Sequence, residues 1–369
     1  MSQKNHVFDI VIIGGGIIGL SIACEMAEMG KKIILFEKNK VGMQASWVAA
    51  GTLEPIWDAD GDGTDLLEIK LKSESMWRDF GQKIQQETDI DIEYNSSGGL
   101  LIAMNSDEMN QLERTHEIAT KYKIESRILS KDELLSIEPK MNTNVYGGIF
   151  LASECYVNPR KVTDALCKYF KQMGGQIREK KKVTGLIENE NGTVIGVSVS
   201  GEKIFAKQVV NCTGPWSSEL TKINVKPIKG YMLCFASECV PKIDHVIIHR
   251  NSVRILSRKD ETLMAIGLME DAGFDRELNE KSIEVMLGHA KRIIPSLNDD
   301  DIIEVYSGFR PQGEDRFPVV GKIKDGFYVA TAHFKDGILL APITAQIMHE
   351  SLNGCENSNL SPQRFISKQ

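Results

Sequence analysis

The sequence predicts an α/β plus α+β protein in which a parallel-sheet layer is interleaved with an antiparallel one. Three observations carry this. A strand, a glycine turn, a helix and a second strand follow one another between Phe8 and Lys40. Two later apolar runs, Phe205 to Val210 and Gly326 to Thr331, can join that unit as parallel strands. Between them lie segments of alternating polarity, from Ile92 and again from Pro227, which read as antiparallel sheet.

The first unit reads FDIVIIGGGIIGLSIACEMAEMGKKIILFEK. Ile10 to Ile13 is β-branched and nearly all apolar, as a strand buried on both faces must be. Gly14-x-Gly16-x-x-Gly19 follows, then apolar residues at helical spacing from Leu20 to Met29. Ile33 to Phe36 is the second strand, and it ends at Glu37. Gly14 allows the tight turn, Gly16 lets backbone N–H groups approach a pyrophosphate, and Gly19 lets helix and strand pack closely. The helix N-terminus presents its positive dipole end to phosphate. Glu37 stands where a carboxylate accepts hydrogen bonds from a ribose. The unit is therefore Rossmann-like, with a dinucleotide site.

Small residues cluster next, from Ala45 to Leu53, either as backbone lying against a flat ring or as a short helical turn. Asp58-x-Asp60-x-Asp62-Gly63 has the opening of a calcium loop, but the twelfth position is Ile69 where a glutamate is required. It is read as a mobile acidic loop, with Thr64 or Asp65 capping the helix that follows from Leu66 to about Gln86. No metal site is expected. Further on come an exposed helix at Glu108–Lys123, a capping box at Ser130–Glu133, a strand at Gly147–Leu151 and a helix at Pro159–Met173. Asn191-Gly192 between two alternating runs predicts a hairpin. A strand running into Asn211-Cys212-Thr213-Gly214-Pro215-Trp216 puts Gly214 at a sheet's carboxyl end, where α/β folds bind ligands. Strands at Tyr231–Ala236, His245–His249, Val253–Ser257 and Leu263–Leu268 precede a helix from Glu280 to Ile294. Asp336-Gly337 is expected to open the last apolar helix, Ile338 to Leu352.

Length and composition bound the class. A chain of 369 residues exceeds one typical core. The expected division is 1–85, 145–222 and 306–369 for the nucleotide domain, with 86–144 and 223–305 for the substrate domain. A net charge of −7 argues against nucleic acid as a partner. No window is apolar enough for a transmembrane helix, and no signal-peptide core precedes the first strand. Seven scattered cysteines without a CxxC read as reduced thiols, hence a cytoplasmic protein.

The ordered motifs ASWVAAGTL, KVTGLIENENGTVIGV, VVNCTGPWS, SGFRPQGEDRFPVVG and AHFKDGILLAP, following the glycine fingerprint, carry a resemblance over nearly the whole chain. The chain resembles the glycine/D-amino-acid oxidase superfamily of FAD enzymes, and within it the glycine oxidase branch linked to thiamin biosynthesis. The resemblance implies a Rossmann-like FAD-binding domain with an antiparallel substrate domain. It implies non-covalent FAD held by Ile17, Ile18, Glu37, Lys38, Ala45, Ser46, Ala50, Gly51, Thr52 and Val183. His333, Phe334, Lys335, Asp336, Gly337, Ile338 and Leu339 would surround the flavin pyrimidine, with the helix dipole stabilising charge there. Arg310 would hold the substrate carboxylate. Hydride would pass from the substrate Cα to flavin N5, giving an imine that water hydrolyses.

The chain departs from the glycine oxidase pattern near the implied pocket. Thr52 replaces a methionine, Arg254 an active-site tyrosine, and Lys335-Asp336 an Arg-Asn pair, whereas Met269 matches. A second arginine beside Arg310 calls for an anion to neutralise it, which points to acidic or N-carboxyalkyl amino acids beside glycine and sarcosine. The electron acceptor is O2, or a quinone or carrier if the enzyme is a dehydrogenase. A catalytically silent partner subunit, and NAD in place of FAD, are the readings from other classes. The resemblance also implies a homo-oligomer. Lys229-Gly230 faces the active site or ends an exposed strand.

Overall fold

The computed structural model describes residues 8–366, except 62, 237, 239 and 251. The parallel layer runs in the order Val319–Lys324, Phe327–Thr331, Glu202–Asn211, Phe8–Ile13, Ile33–Phe36 and Gln176–Arg178. Phe8–Ile13 pairs parallel with Ile33–Phe36 on one side and with Glu202–Asn211 on the other. Glu202–Asn211 in turn pairs parallel with Phe327–Thr331. Both expected partners of the first unit are therefore in place.

Burial explains the composition of these strands. One face of the sheet packs on the helices Ile17–Glu28, Thr64–Thr88, Pro159–Gln172 and Ala341–Leu352. The other face, through Val11, Ile34 and Phe36, packs on the antiparallel strands Val183–Glu188 and Val194–Val199. The Asn191-Gly192 hairpin joins these two, as its sequence requires.

The second sheet runs Ile302–Gln312, Lys226–Phe235, Leu263–Glu270, Val253–Ser257, Val246–His249, Gly99–Ala103, Gly147–Leu151 and Ser126–Ser130. All its neighbours are antiparallel except Val246–His249 and Gly99–Ala103. Helix Glu280–Ile293 covers one face with Met286, Leu287, Ala290 and Ile293. Gly147–Leu151 and Ile302–Gln312 lie wholly in this sheet. Ser126–Ser130 escaped the sequence reading because it is an edge strand with mostly exposed side chains.

Two local expectations are corrected. The last helix begins at Ala341, not at Gly337, because Asp336–Leu340 first forms a separate turn in which Leu340 N–H donates to Asp336 O at 2.8 Å. The helix after the acidic loop is Thr64–Thr88, and its N-cap is Gly63, with no side-chain cap from Thr64 or Asp65. The two sheets meet where Phe334 N–H donates to Pro311 O at 2.9 Å, beside an isolated bridge between Gln312 and His333.

Candidate active site

A cavity of about 450 Å³ runs from the carboxyl ends of the parallel strands to the face of the second sheet. Every residue singled out from the sequence as cofactor-binding or catalytic lines it, apart from Gly19 and Leu339, which sit behind its wall.

The dinucleotide end is made of backbone. Gly14 has φ 107°, and a Cβ there would lie 2.5 Å from Cys212 O. At Gly19 a Cβ would lie 2.1 Å from Gly14 O, so helix and strand touch only because both are glycine. Ile17 N–H donates to Ser46 Oγ at 3.0 Å. The N–H groups of Ile18 and Gly19 find no acceptor among the described residues, as the first turn of a helix leaves them. Glu37 is buried at its strand end, where it accepts from Gly15 N–H at 2.9 Å and Asn39 N–H at 2.8 Å. These bonds fix the carboxylate and leave lone pairs for a ribose. Lys38 lies 3.2 Å over the Trp216 ring, and burial pulls its ammonium below its ordinary range. Ala45–Val48 is a single helical turn, and Ala50 O accepts from Arg258 Nη2 at 2.6 Å. Val183 is buried at the base of this end, and Gly214 opens the short turn Gly214–Glu219.

The middle of the cavity is also backbone, held in strained form. Ala332 and Phe334 have φ of 60° and 49°, a region that costs energy in non-glycine residues. Between them His333 is buried, its Nε2 2.9 Å from Thr344 Oγ1. Burial pulls the imidazole down to about 3, so it is neutral and packs. The N–H groups of Gly337, Ile338 and Leu339 have no acceptor among the described residues, while Leu339 O accepts from Ser73 Oγ and from Trp77 Nε1 at 2.8 Å. The turn, and not a helix terminus, presents these donors.

At the far end the wall is made of charged side chains. Arg310 stands on Ile302–Gln312, its guanidinium against the backbone of Gly230; a Cβ on Gly230 would lie 1.8 Å from Nη1. Nη1 donates to Leu268 O at 3.1 Å, from a residue with φ 51°. Arg310 has no carboxylate partner among the described residues. Burial, and after it the neighbouring Arg254 cation, pull the guanidinium down to about 10, which leaves it charged at neutral pH.

Arg254 is different. Its Nε donates to Glu54 Oε2 at 2.6 Å, and its guanidinium lies 4.0 Å over the Trp57 ring. Burial opposes the Arg254 charge, but Glu54 more than offsets it, so its pKa lies above the ordinary value. The expectation that a substrate anion must neutralise Arg254 is therefore corrected: the chain supplies that anion itself. Glu54 Oε1 is buried without a partner, and burial raises the carboxyl despite Arg254. Behind it Glu154 accepts from Ile56 N–H at 3.1 Å, its other oxygen also unpartnered. Burial, reinforced by Glu54, holds the Glu154 carboxyl well above the carboxylate range.

The acidic loop is likewise corrected. Asp58 is buried, and pairs with Lys70 at 3.3 Å, with Arg316 at 3.6 Å and with Lys335. Burial acts to raise its carboxyl, but Lys70 and Lys335 together hold it below the ordinary range. Asp336 pairs with Lys70 at 3.2 Å. Lys335 and Asp336 thus belong to this charge network. Asp62 lies outside the described residues, and no metal-holding group of His, Cys, Asp and Glu occurs among them. Lys229 is buried, with its Nζ on Glu277 O, and only Gly230 of that pair lines the cavity. Thr52 lines the cavity where it pairs with Tyr156. Met269 lines the cavity at its exposed side, with 62% of its surface open.

Sequence reasoning missed Glu54, Trp57, Lys70 and Glu154. One signal was present for Lys70: it falls on the stripe of Leu66, Leu67, Ser73 and Trp77 that faces the core. A lysine on such a stripe needs buried carboxylates.

A backbone cradle for a diphosphate that opens into a small charged pocket is the layout of a dinucleotide-dependent oxidoreductase. The FAD dependent oxidoreductase family matches residues 9–351, and the chain belongs to it. The crystal structure of glycine oxidase from Geobacillus kaustophilus superposes with a TM-score of 0.90 at 25% identity, covering 96% of each chain. Glycine oxidase from Bacillus licheniformis is 28% identical over 94% of this chain and 93% of its own. The bifunctional protein ThiO/ThiG of Nostoc sp. is 30% identical over 92% of this chain. The chain spans about half the length of that bifunctional relative, 52%. FAD fits the residues present: the glycine turn leaves no room for side chains, and unpaired N–H groups occur both at Ile18–Gly19 and at Gly337–Leu339.

Proposed function

We propose that the chain oxidises the C–N bond of a small amino acid or secondary amine, as the glycine oxidases it resembles are named for doing with glycine. The observation that carries this is Arg310, a guanidinium in the cavity wall with no carboxylate partner among the described residues. A planar guanidinium holds a substrate carboxylate by two parallel hydrogen bonds and so fixes the direction of the Cα–H bond. Gly230 and Leu268 O set the plane of that guanidinium before the substrate arrives.

Bound FAD supplies the two-electron acceptor: the Cα hydrogen leaves as hydride, the amine loses a proton, and water hydrolyses the resulting imine to the oxo acid and the free amine. Glu37, Ser46 and the first turn of Ile17–Glu28 would hold its ribose and pyrophosphate, and the N–H groups of Gly337 to Leu339 its ring system. His333 is neutral and engaged by Thr344, so it positions the loop and supplies no base. The test is to precipitate the purified protein with acid and identify FAD in the supernatant. Glycine, sarcosine and D-alanine are then added to the intact protein without oxygen. Bleaching by at least one is expected, followed by hydrogen peroxide on admitting air. A flavin that none of a full amino-acid panel bleaches would overturn the proposal.

A further inference from the structure

The pocket holds two arginines at one end, and both line it, yet only Arg254 carries a counter-ion among the described residues. Its Nε is taken by Glu54 at 2.6 Å, and its guanidinium lies 4.0 Å over the Trp57 ring. Glu54 is an expensive residue to keep there. It is buried, one of its oxygens has no partner, and the Glu154 carboxyl stands behind it. Packing alone gives no reason to bury a carboxylate at this point. The pairing with Arg254 does. A buried cation without its counter-ion attracts whatever anion the cavity admits. The remaining charges around Arg254 do not replace Glu54: Asp58 is committed to Lys70, Lys335 and Arg316, and Asp336 to Lys70.

We propose that Glu54 is a specificity-determining residue: by closing the ion pair with Arg254 it leaves Arg310 as the guanidinium available to a carboxylate, and so restricts the ligand to amino acids and amines with a single carboxylate. This deepens the proposed function and rests on its placing of the carboxylate at Arg310. Glu54 touches no reacting atom. It acts by negative selection, since a second carboxylate on the ligand would meet the Glu54 charge and a guanidinium already neutralised.

The test uses the FAD-loaded protein and two probes that cannot be oxidised, acetate and malonate, with affinities read by calorimetry. Wild type is expected to bind acetate at least as tightly as malonate. Glu54→Gln keeps the side-chain shape and removes the counter-charge; it should shift the affinity ratio toward malonate at least about tenfold. Glu54→Asp, which keeps the charge but cannot reach Arg254 as closely, should shift it in the same direction by less. In Glu54→Gln/Arg254→Gln the shift should vanish. The same order is expected in kcat/KM for iminodiacetate against sarcosine. A wild type that prefers malonate overturns the inference, whether or not any variant folds. So does an unchanged ratio in Glu54→Gln, or a shift that persists in the double variant. If no amine bleaches the flavin while the acetate and malonate ratios move as stated, the oxidase reading fails and the role of Glu54 stands.

Discussion

The two ends of the cavity are built from different material. At the dinucleotide end most contacts are N–H groups and glycines of the first strand–turn–helix unit, with Glu37 buried where its second strand ends. At the substrate end they are ionic side chains brought from distant segments, and Glu54 and Arg254 meet across 200 residues. Backbone donors are fixed as soon as the strand–turn–helix unit forms. A charge network is fixed only when both sheets and the long helix are assembled. The first end should therefore tolerate almost no change of shape, and the second should respond mainly to changes of charge.

The largest effect expected is Gly19→Ala. Its methyl would sit 2.1 Å from Gly14 O, a backbone atom that cannot move aside. Loss of bound FAD, read as loss of flavin absorbance on purification, is the expected outcome; full retention would break the comparison at its more rigid end. Arg310→Ala comes next. It should lower kcat/KM by at least ~2 kcal/mol, roughly thirtyfold, with flavin content unchanged. Gly230→Ala tests whether the substrate end also has a rigid point. Its methyl would displace the Arg310 guanidinium, lying 1.8 Å from Nη1, and should cost roughly tenfold in kcat/KM with normal flavin content. An unaffected Gly230→Ala enzyme would show that Arg310 adapts.

A further effect, on stability and not on catalysis, concerns the middle of the cavity and is a pH dependence. His333 titrates at about 3 when folded and at 6.5 when free. Between those values the unfolded chain binds the extra proton, so stability falls as pH is lowered through this window. The contribution is about 1.4 kcal/mol per pH unit well inside it. His333→Gln, compared with wild type by urea unfolding from pH 6.5 downward, should remove that slope. An equal slope in both would place the loss at other groups.

The same contrast explains what the sequence disclosed. The glycine fingerprint, the Asn191-Gly192 hairpin and the Ser130 capping box were legible because each rests on residues close in the chain, and the two parallel partners because each is itself an apolar run of strand length. Arg310 was legible through a motif resemblance. The Glu54–Arg254 pair was not, since alternation along Val253–Ser257 assigns Arg254 a face but no partner. Asp58 looked mobile because three acids in a row of small residues repel one another in water. One of its three cations, Lys70, comes from the following helix, but Arg316 and Lys335 come from the far end of the chain. The start of the last helix was misplaced for a local reason: a turn and a helix share the same apolar spacing until the hydrogen bonds are counted.

The single bond from Phe334 N–H to Pro311 O has a kinetic meaning. Pro311 follows the arginine offered to the substrate, and Phe334 belongs to the loop offered to the flavin ring. A fluctuation that lifts one strand end from the other must loosen both at once. In deuterium exchange the Phe334 amide, which this bond protects, should therefore slow when a carboxylate occupies Arg310. Binding at either place should slow exchange at the other, so that each ligand lengthens the residence time of its neighbour.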